Sequence, residues 1–184
     1  RRAGPNNEIM TTAGIPFATP SQGGANNILF TSQWDNYPDS VVVPLQGKAS
    51  HAYLLMAGST NAMQSQFVNG AVTVQYGDGT EELLELRNPQ NWWPIEQDLY
   101  NDGFAFNTGA PEPLRVYFKT GEDTRNFTNY TTIKGFTSKA VDGGAGTGLD
   151  LPLDPSKELK SLTLKAVAND VVIGLMSLTL VRPN

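Results

Sequence analysis

The residues best suited to chemistry in this sequence are aromatic and acidic, and they gather in two segments. Gln33-Trp34-Asp35-Asn36-Tyr37-Pro38 and Asn88-Pro89-Gln90-Asn91-Trp92-Trp93-Pro94 between them hold all three tryptophans. An indole flanked by Asn, Gln and Asp can stack on a sugar face while its polar neighbours hydrogen-bond the hydroxyls, and loops carried by a rigid scaffold commonly bind ligands. Trp34, Trp92 and Trp93 are therefore the candidate stacking platforms, with Gln33, Asp35 and Asn91 as polar readers. The competing structural reading has the same indoles capping the end of a core or docking against another domain.

Carboxyl pairs offer a second chemistry. Glycoside cleavage needs two of them about 5 to 9.5 Å apart across a cleft. Glu96, Asp98 and Asp102, near Trp92, Trp93 and Tyr100, are the better acidic cluster, and the enzymatic alternative assigns Glu96 and either Asp98 or Asp102 as acid and base. Asp78, Glu81, Glu82 and Glu85 sit around a turn and read as its solvated face.

Composition removes most other chemistries. Among 184 residues there is no Cys, which excludes thiol nucleophiles, zinc–thiolate sites and iron–sulfur clusters. The single imidazole, His51, lies in an apolar run and reads as a half-buried structural residue. No Gly-x-Ser-x-Gly elbow occurs, and the glycines at 143–148 lack the third dinucleotide-binding glycine and the Lys-Ser/Thr of a phosphate loop. No catalytic residue, cofactor or metal site is expected on these grounds. A formal charge of −5 argues against a phosphate-binding surface, so nucleic acid is an unexpected partner. The apolar runs fall far short of the roughly 20 residues of a membrane-spanning helix.

Positioning these residues requires a scaffold, and the pattern of the chain is that of sheets. Eighteen Gly and twelve Pro punctuate short runs of period-two alternation, while helical periodicity is nearly absent. An all-β fold is predicted, an antiparallel jelly-roll β-sandwich with at most short helical turns. Residues 1–26, rich in Gly, Pro, Asn and Thr, read as an extended or flexible lead-in pinned by Ile15 and Phe17, and residues 27–184 as a single β-sandwich domain. The start of the chain, Arg1-Arg2-Ala3-Gly4-Pro5, has neither Met nor an apolar signal core and reads as part of something longer.

Strands are predicted at 27–31, at 40–45 near an edge because Pro44 cannot donate to a ladder, and at 50–57, apolar on both faces. A hairpin is predicted with 71–76 and 80–86 joined at Gly77-Asp78-Gly79. Further strands are expected at 114–119 and 129–137, a flexible loop at 143–148, one helical turn starting at Asp154-Pro155, and a closing hairpin of 161–168 and 171–181. Asn126 and Asn129 each stand in an Asn-x-Thr glycosylation pattern.

Several strings together resemble a known family. They are Ile-Leu-Phe-Thr-Ser-Gln-Trp-Asp-Asn-Tyr-Pro at 28–38, Gly-Lys-Ala at 47–49, Leu-Leu-Met-Ala-Gly-Ser-Thr-Asn at 54–61, Tyr-Gly-Asp-Gly-Thr at 76–80, Asn-Trp-Trp-Pro-Ile at 91–95 and Leu-Asp-Pro-Ser-Lys-Glu-Leu-Lys-Ser-Leu at 153–162. From about residue 14 onward the chain resembles the C-terminal region of the Bacteroidetes domain-of-unknown-function family 4450. More loosely it is similar to galactose-binding-like jelly-roll modules attached to glycosidases. Full-length members of that family look like glycoside-hydrolase relatives with β-sandwich regions around a helical toroid. The resemblance implies a non-catalytic accessory domain of an extracytoplasmic, periplasmic or secreted, glycan-processing protein. Its partners would be the remainder of that larger protein or carbohydrate. No catalytic residue is carried over by the resemblance.

Overall fold

A computed structural model describes residues 7–20, 24–99, 112–125 and 138–183. Among these, fourteen strands form: β1 (Glu8–Met10), β2 (Pro16–Ala18), β3 (Leu29–Ser32), β4 (Ser40–Pro44), β5 (His51–Ser59), β6 (Val68–Tyr76), β7 (Glu81–Arg87), β8 (Gln97–Leu99), β9 (Leu114–Tyr117), β10 (Asp123–Thr124), β11 (Ser138–Ala140), β12 (Ala145–Pro152), β13 (Leu159–Ala166) and β14 (Val172–Val181). One 3₁₀ turn, Ala62–Gln64, interrupts them.

A six-stranded sheet runs β10-β9-β12-β5-β14-β3 and a four-stranded sheet runs β4-β13-β6-β7, all neighbours antiparallel. Alternation decides how they meet. Leu54 and Met56 of β5, Leu149 and Leu151 of β12, and Ile173 and Leu175 of β14 share one core with Val72 and Val74 of β6 and Leu162 and Leu164 of β13. Buried apolar area supplies about 25 cal/mol per Å², so two half-buried sheets close on each other and a β-sandwich results. Contacts between β12 and β7, between β13 and both β14 and β3, and between β3 and β4 lay the four strands over β12, β5, β14 and β3. The inner face of β9 therefore extends past the rim of the smaller sheet.

β5 is covered on both sides, as its unbroken apolar run predicts. Its odd-numbered Leu55 points away from the main core and joins Ile9, Phe17 and Val116 in a second cluster on the outer face of the larger sheet. The β1–β2 hairpin covers that cluster, so the part of the lead-in that is described is an ordered hairpin held by Ile9 and Phe17. β4, with Pro44, is an edge strand as predicted. The predicted β6–β7 hairpin is present across Gly77-Asp78-Gly79, with Gly79 at φ 87°.

Three local expectations are corrected. Residues 143–148 are not a flexible loop: β12 starts at Ala145, and Gly146 and Gly148 are buried in it. A Cβ at Gly146 would lie 2.7 Å from a Leu55 methyl and 3.0 Å from the Phe118 ring, so these glycines serve close packing rather than mobility. Asp154 starts no helix. Its Oδ1 accepts from Ser156 N and Oγ at 2.9 and 2.6 Å, closing a local turn that competes with helix. Finally, β13 and β14 do not pair: β13 bonds β4 and β6, and β14 bonds β3 and β5, so Asn169-Asp170 turns between layers. Both strands carry apolar faces, and alternation alone cannot distinguish a hairpin from two strands stacked face to face. The strand predicted at 129–137 and both glycosylation patterns lie outside the described residues.

The hairpin turn is tied to the opposite connection by charge. Asp78 accepts from Thr80 N and Oγ1 at 2.9 and 2.6 Å and meets Lys157 Nζ at 3.0 Å. These hydrogen bonds hold the Asp78 carboxyl down at about 2, while Asp78 pushes the Lys157 ammonium pKa up. A lowered carboxyl contributes stability above its ordinary value near 3.8 and loses it as pH falls towards 2; a raised ammonium contributes below 10.5 and loses it at higher pH. The Asp78–Lys157 contribution is therefore complete between about pH 4 and 10. Thermal melts of wild type and Asp78→Asn should differ most in that window and converge towards pH 2; a constant difference across the range would refute this linkage.

Candidate functional site

Segment 88–99 lies where the larger sheet outruns the smaller. Its residues 88–96, ahead of β8, carry backbone carbonyls into buried positions outside any ladder, and an unpaired buried carbonyl is costly. Arg115 of β9 meets that demand. Its side chain points to the inner face, in register with Thr147 of β12, and is fully buried. It donates from Nε to Asp98 Oδ1 at 2.8 Å, from Nη1 to Thr147 Oγ1 at 2.8 Å, and from Nη2 to the carbonyls of Pro94 at 2.7 Å and Gln97 at 3.1 Å. Tyr117 donates its hydroxyl to Asp98 Oδ2 at 2.5 Å. The guanidinium sits 5.5 Å from the Trp93 ring centroid, within cation–π range. Burial draws the Arg115 pKa down, and the carboxylate of Asp98 opposes that shift.

Both indoles of the pair at 92–93 are consumed by this construction. Trp92 is 0% exposed within the main core and Trp93 is 1% exposed, with Nε1 donating to the Pro89 carbonyl at 2.7 Å. A Cβ added at Gly58 would come 3.1 Å from Trp92 Cζ2, so the indole edge packs close to bare backbone. A ring with no face in solvent offers nothing to a sugar or to another domain, and the expectation of stacking by Trp92 and Trp93 is corrected accordingly. The core-capping alternative describes them. Asn91 follows them: Oδ1 accepts from Arg87 N at 2.7 Å and Nδ2 donates to the Glu85 carbonyl at 2.9 Å, which makes it a clasp of its own loop.

The acidic cluster is likewise divided. Asp98 is 1% exposed with both oxygens engaged, whereas Glu96 faces solvent and Asp102 and Tyr100 lie outside the described residues. His51 is half-exposed, with Nδ1 2.8 Å from Asp150 Oδ1 and its ring stacked on Tyr53. Among the described residues no three His, Asp or Glu side chains come together as metal ligands, and no helix is long and apolar enough to cross a membrane.

What remains open is the other aromatic segment. β3 is the edge strand of the larger sheet, and the loop after it folds back, with Ser32 N donating to the Pro38 carbonyl at 3.1 Å. Trp34 is 46% and Tyr37 36% exposed, their centroids 6.3 Å apart at 63°; Tyr37 in turn stands edge-on to Phe30 at 6.3 Å and 86°. Asp35 and Asn36 are exposed beside them. Gln33 donates from Nε2 to the Val167 carbonyl at 2.8 Å, so it anchors the loop while its carbonyl oxygen makes none of the bonds described. Thus Trp34, Asp35 and Gln33 are brought together, and Trp92, Trp93 and Asn91 are not. Tyr37 and Phe30 complete the surface. Tyr37 stood in the quoted segment, but Phe30 is visible only once β3 is known to be an edge.

Phe30 also begins a groove of about 460 Å³ on the outer face of the larger sheet, whose walls include Phe118, Met176 and Ile9. No family model, curated protein or solved structure matches the chain.

Replacing Trp92 or Trp93 by Ala should destabilise the fold by about 3–5 kcal/mol, the usual cost of deleting a buried indole. Arg115→Ala, which leaves Asp98 buried and uncompensated, should cost about 3–5 kcal/mol as well. Urea denaturation checks both; a near-wild-type midpoint in either tryptophan variant would contradict the capping role.

Proposed function

We propose that this chain is a non-catalytic accessory β-sandwich domain of an extracytoplasmic glycan-processing protein, and that the Trp34 loop is where it meets carbohydrate. The observation that carries this reading is the exposed, edge-to-face pair of Trp34 and Tyr37 on a loop anchored at both ends. Two rings held at 63° offer a bent apolar seat, and Asp35 and Asn36 supply an acceptor and an amide beside it, which suits the mixed faces of a sugar. The resemblance to family 4450, the galactose-binding-like jelly-roll connectivity and the extracytoplasmic setting belong to this same proposal.

A second reading, interdomain packing, has its own support. Met63, Phe67 and Val167 are exposed at the same end of the sandwich, because Val167 N and Ala168 N donate to the Asn69 carbonyl and Asn69 Nδ2 donates to the carbonyls of Gln64 and Phe67. Clustered exposed apolar side chains are what a covered surface looks like once uncovered. Hydrolysis through Glu96 is the weaker alternative, since Asp98 is committed to Arg115 and Tyr117.

The Trp34→Ala variant separates the readings. On a glycan array it should lose at least tenfold in binding while its melting curve stays within about 0.5 kcal/mol of wild type, as for an exposed residue. Unchanged glycan binding in Trp34→Ala and Tyr37→Ala would remove the loop from carbohydrate recognition and leave the packing surface as the better account.

A further inference from the structure

The groove beside Phe30 is shaped by missing side chains. β14 presents Gly174 and β5 presents Ala57 on the outer face, directly paired. A Cβ at Gly174 would fall 2.3 Å from the Ala57 carbonyl oxygen and 2.9 Å from Phe30 Cε1. Ile28, whose Cδ1 would lie 2.4 Å from that Cβ, and Phe30 therefore cover Gly174 as one wall, and Phe118 lies over Gly146 as another. Met176 enters from a β-bulge between Leu175 and Ser177, a device that re-aims a side chain. Ile9 and Ile95 add apolar surface to the lining, and about 460 Å³ is within the range of small-molecule sites.

The polar side chains of the lining are Thr19, Asn27 and Lys119, and Thr19 and Lys119 are already matched. The Thr19 hydroxyl donates to the Asn7 carbonyl at 2.8 Å, and Lys119 is paired with Asp142, whose carboxyl it holds below the ordinary range. A cation already neutralised at the mouth does not call for an anionic head. An apolar channel with a neutral rim fits a hydrocarbon chain on an uncharged headgroup. From Phe30 the aromatic surface continues through Tyr37 to Trp34 in two successive 6.3 Å steps.

We propose that this groove binds a linear alkyl or acyl chain, the apolar part of an uncharged amphiphile whose sugar headgroup rests on Tyr37 and Trp34. The headgroup half rests on the carbohydrate reading above; the chain half stands on the groove alone.

The test is a chain-length series of alkyl β-glucosides, methyl to decyl, below their micelle concentrations, read from methyl chemical shifts of the whole chain. Affinity should rise about three- to fourfold per methylene until the groove is full, as full burial of a CH₂ requires, with shifts at Met176 and Ile95. Ala57→Leu should flatten the series, and Phe118→Ala, which opens a wall, serves if the first variant fails to fold. Absence of length dependence, or shifts confined to residues away from the groove, would overturn the proposal. An alkyl tetraoxyethylene series with the same slope and the same affinity would support the groove while sinking the sugar headgroup. Loss of methyl glucoside binding in Trp34→Ala with the slope preserved would support both halves.

Discussion

The buried ion pair of Arg115 and Asp98 is the constraint on which one whole end of this molecule depends. A six-stranded sheet laid on a four-stranded one leaves part of its inner face without a partner. The chain covers the excess with an irregular segment, and irregular backbone cannot be buried unless its carbonyls find donors. Arg115 supplies four hydrogen bonds from one side chain, one to the Pro94 carbonyl of that segment and one to the Gln97 carbonyl at the start of β8, and Asp98 and the Trp93 ring compensate its charge. Desolvating an ion is expensive, and breaking such a pair leaves an uncompensated charge behind, so the arrangement is all or nothing. Trp92 and Trp93 are in the core because this network holds their segment there.

A functional consequence follows from where the polar capacity has been used. Aromatic residues with acids nearby look alike in sequence whether they face solvent or core. Here the group at 88–98 is a closed structural device in which Asn91 and Asp98 have their hydrogen-bonding atoms engaged and Trp93 donates to Pro89. The group at 33–37 is held only at its ends, leaving its rings to solvent. The distinction between scaffold and surface is thus one of burial, not of residue types: Trp92 and Trp93 are enclosed while Trp34 and Tyr37 face solvent. The glycines obey the same logic: Gly58, Gly146 and Gly174 let a ring lie against backbone, and each ring so placed is a core plug or a groove wall.

Much of the fold was legible in the residues. The period-two run of Val72, Val74 and Tyr76, the Asp-Gly turn after it, the two-faced apolar run of β5 and the edge position of Pro44 each follow from local chemistry, and each is found. Misreadings arose where a residue type serves two purposes. Gly146 and Gly148 read as flexibility because close packing and mobility both favour glycine. Asp154-Pro155 read as a helix start because the same carboxylate can cap a helix or close a turn. Trp92 and Trp93 allowed both a stacking and a core-capping reading because a loop between strands normally runs over the surface, and burial selects the second.

By itself, then, the sequence determined the β class, the strand alternation, the tight turn at Asp78 and a composition with no Cys and one His, since these depend on residue type and near neighbours. Only tertiary structure decided that β13 and β14 lie in different layers, that one sheet outruns the other, and that Trp34 rather than Trp92 meets solvent. Those outcomes rest on contacts between residues far apart in the chain, such as Arg115 with Pro94 and Gln33 with Val167, and on a match of sheet widths that no local pattern encodes.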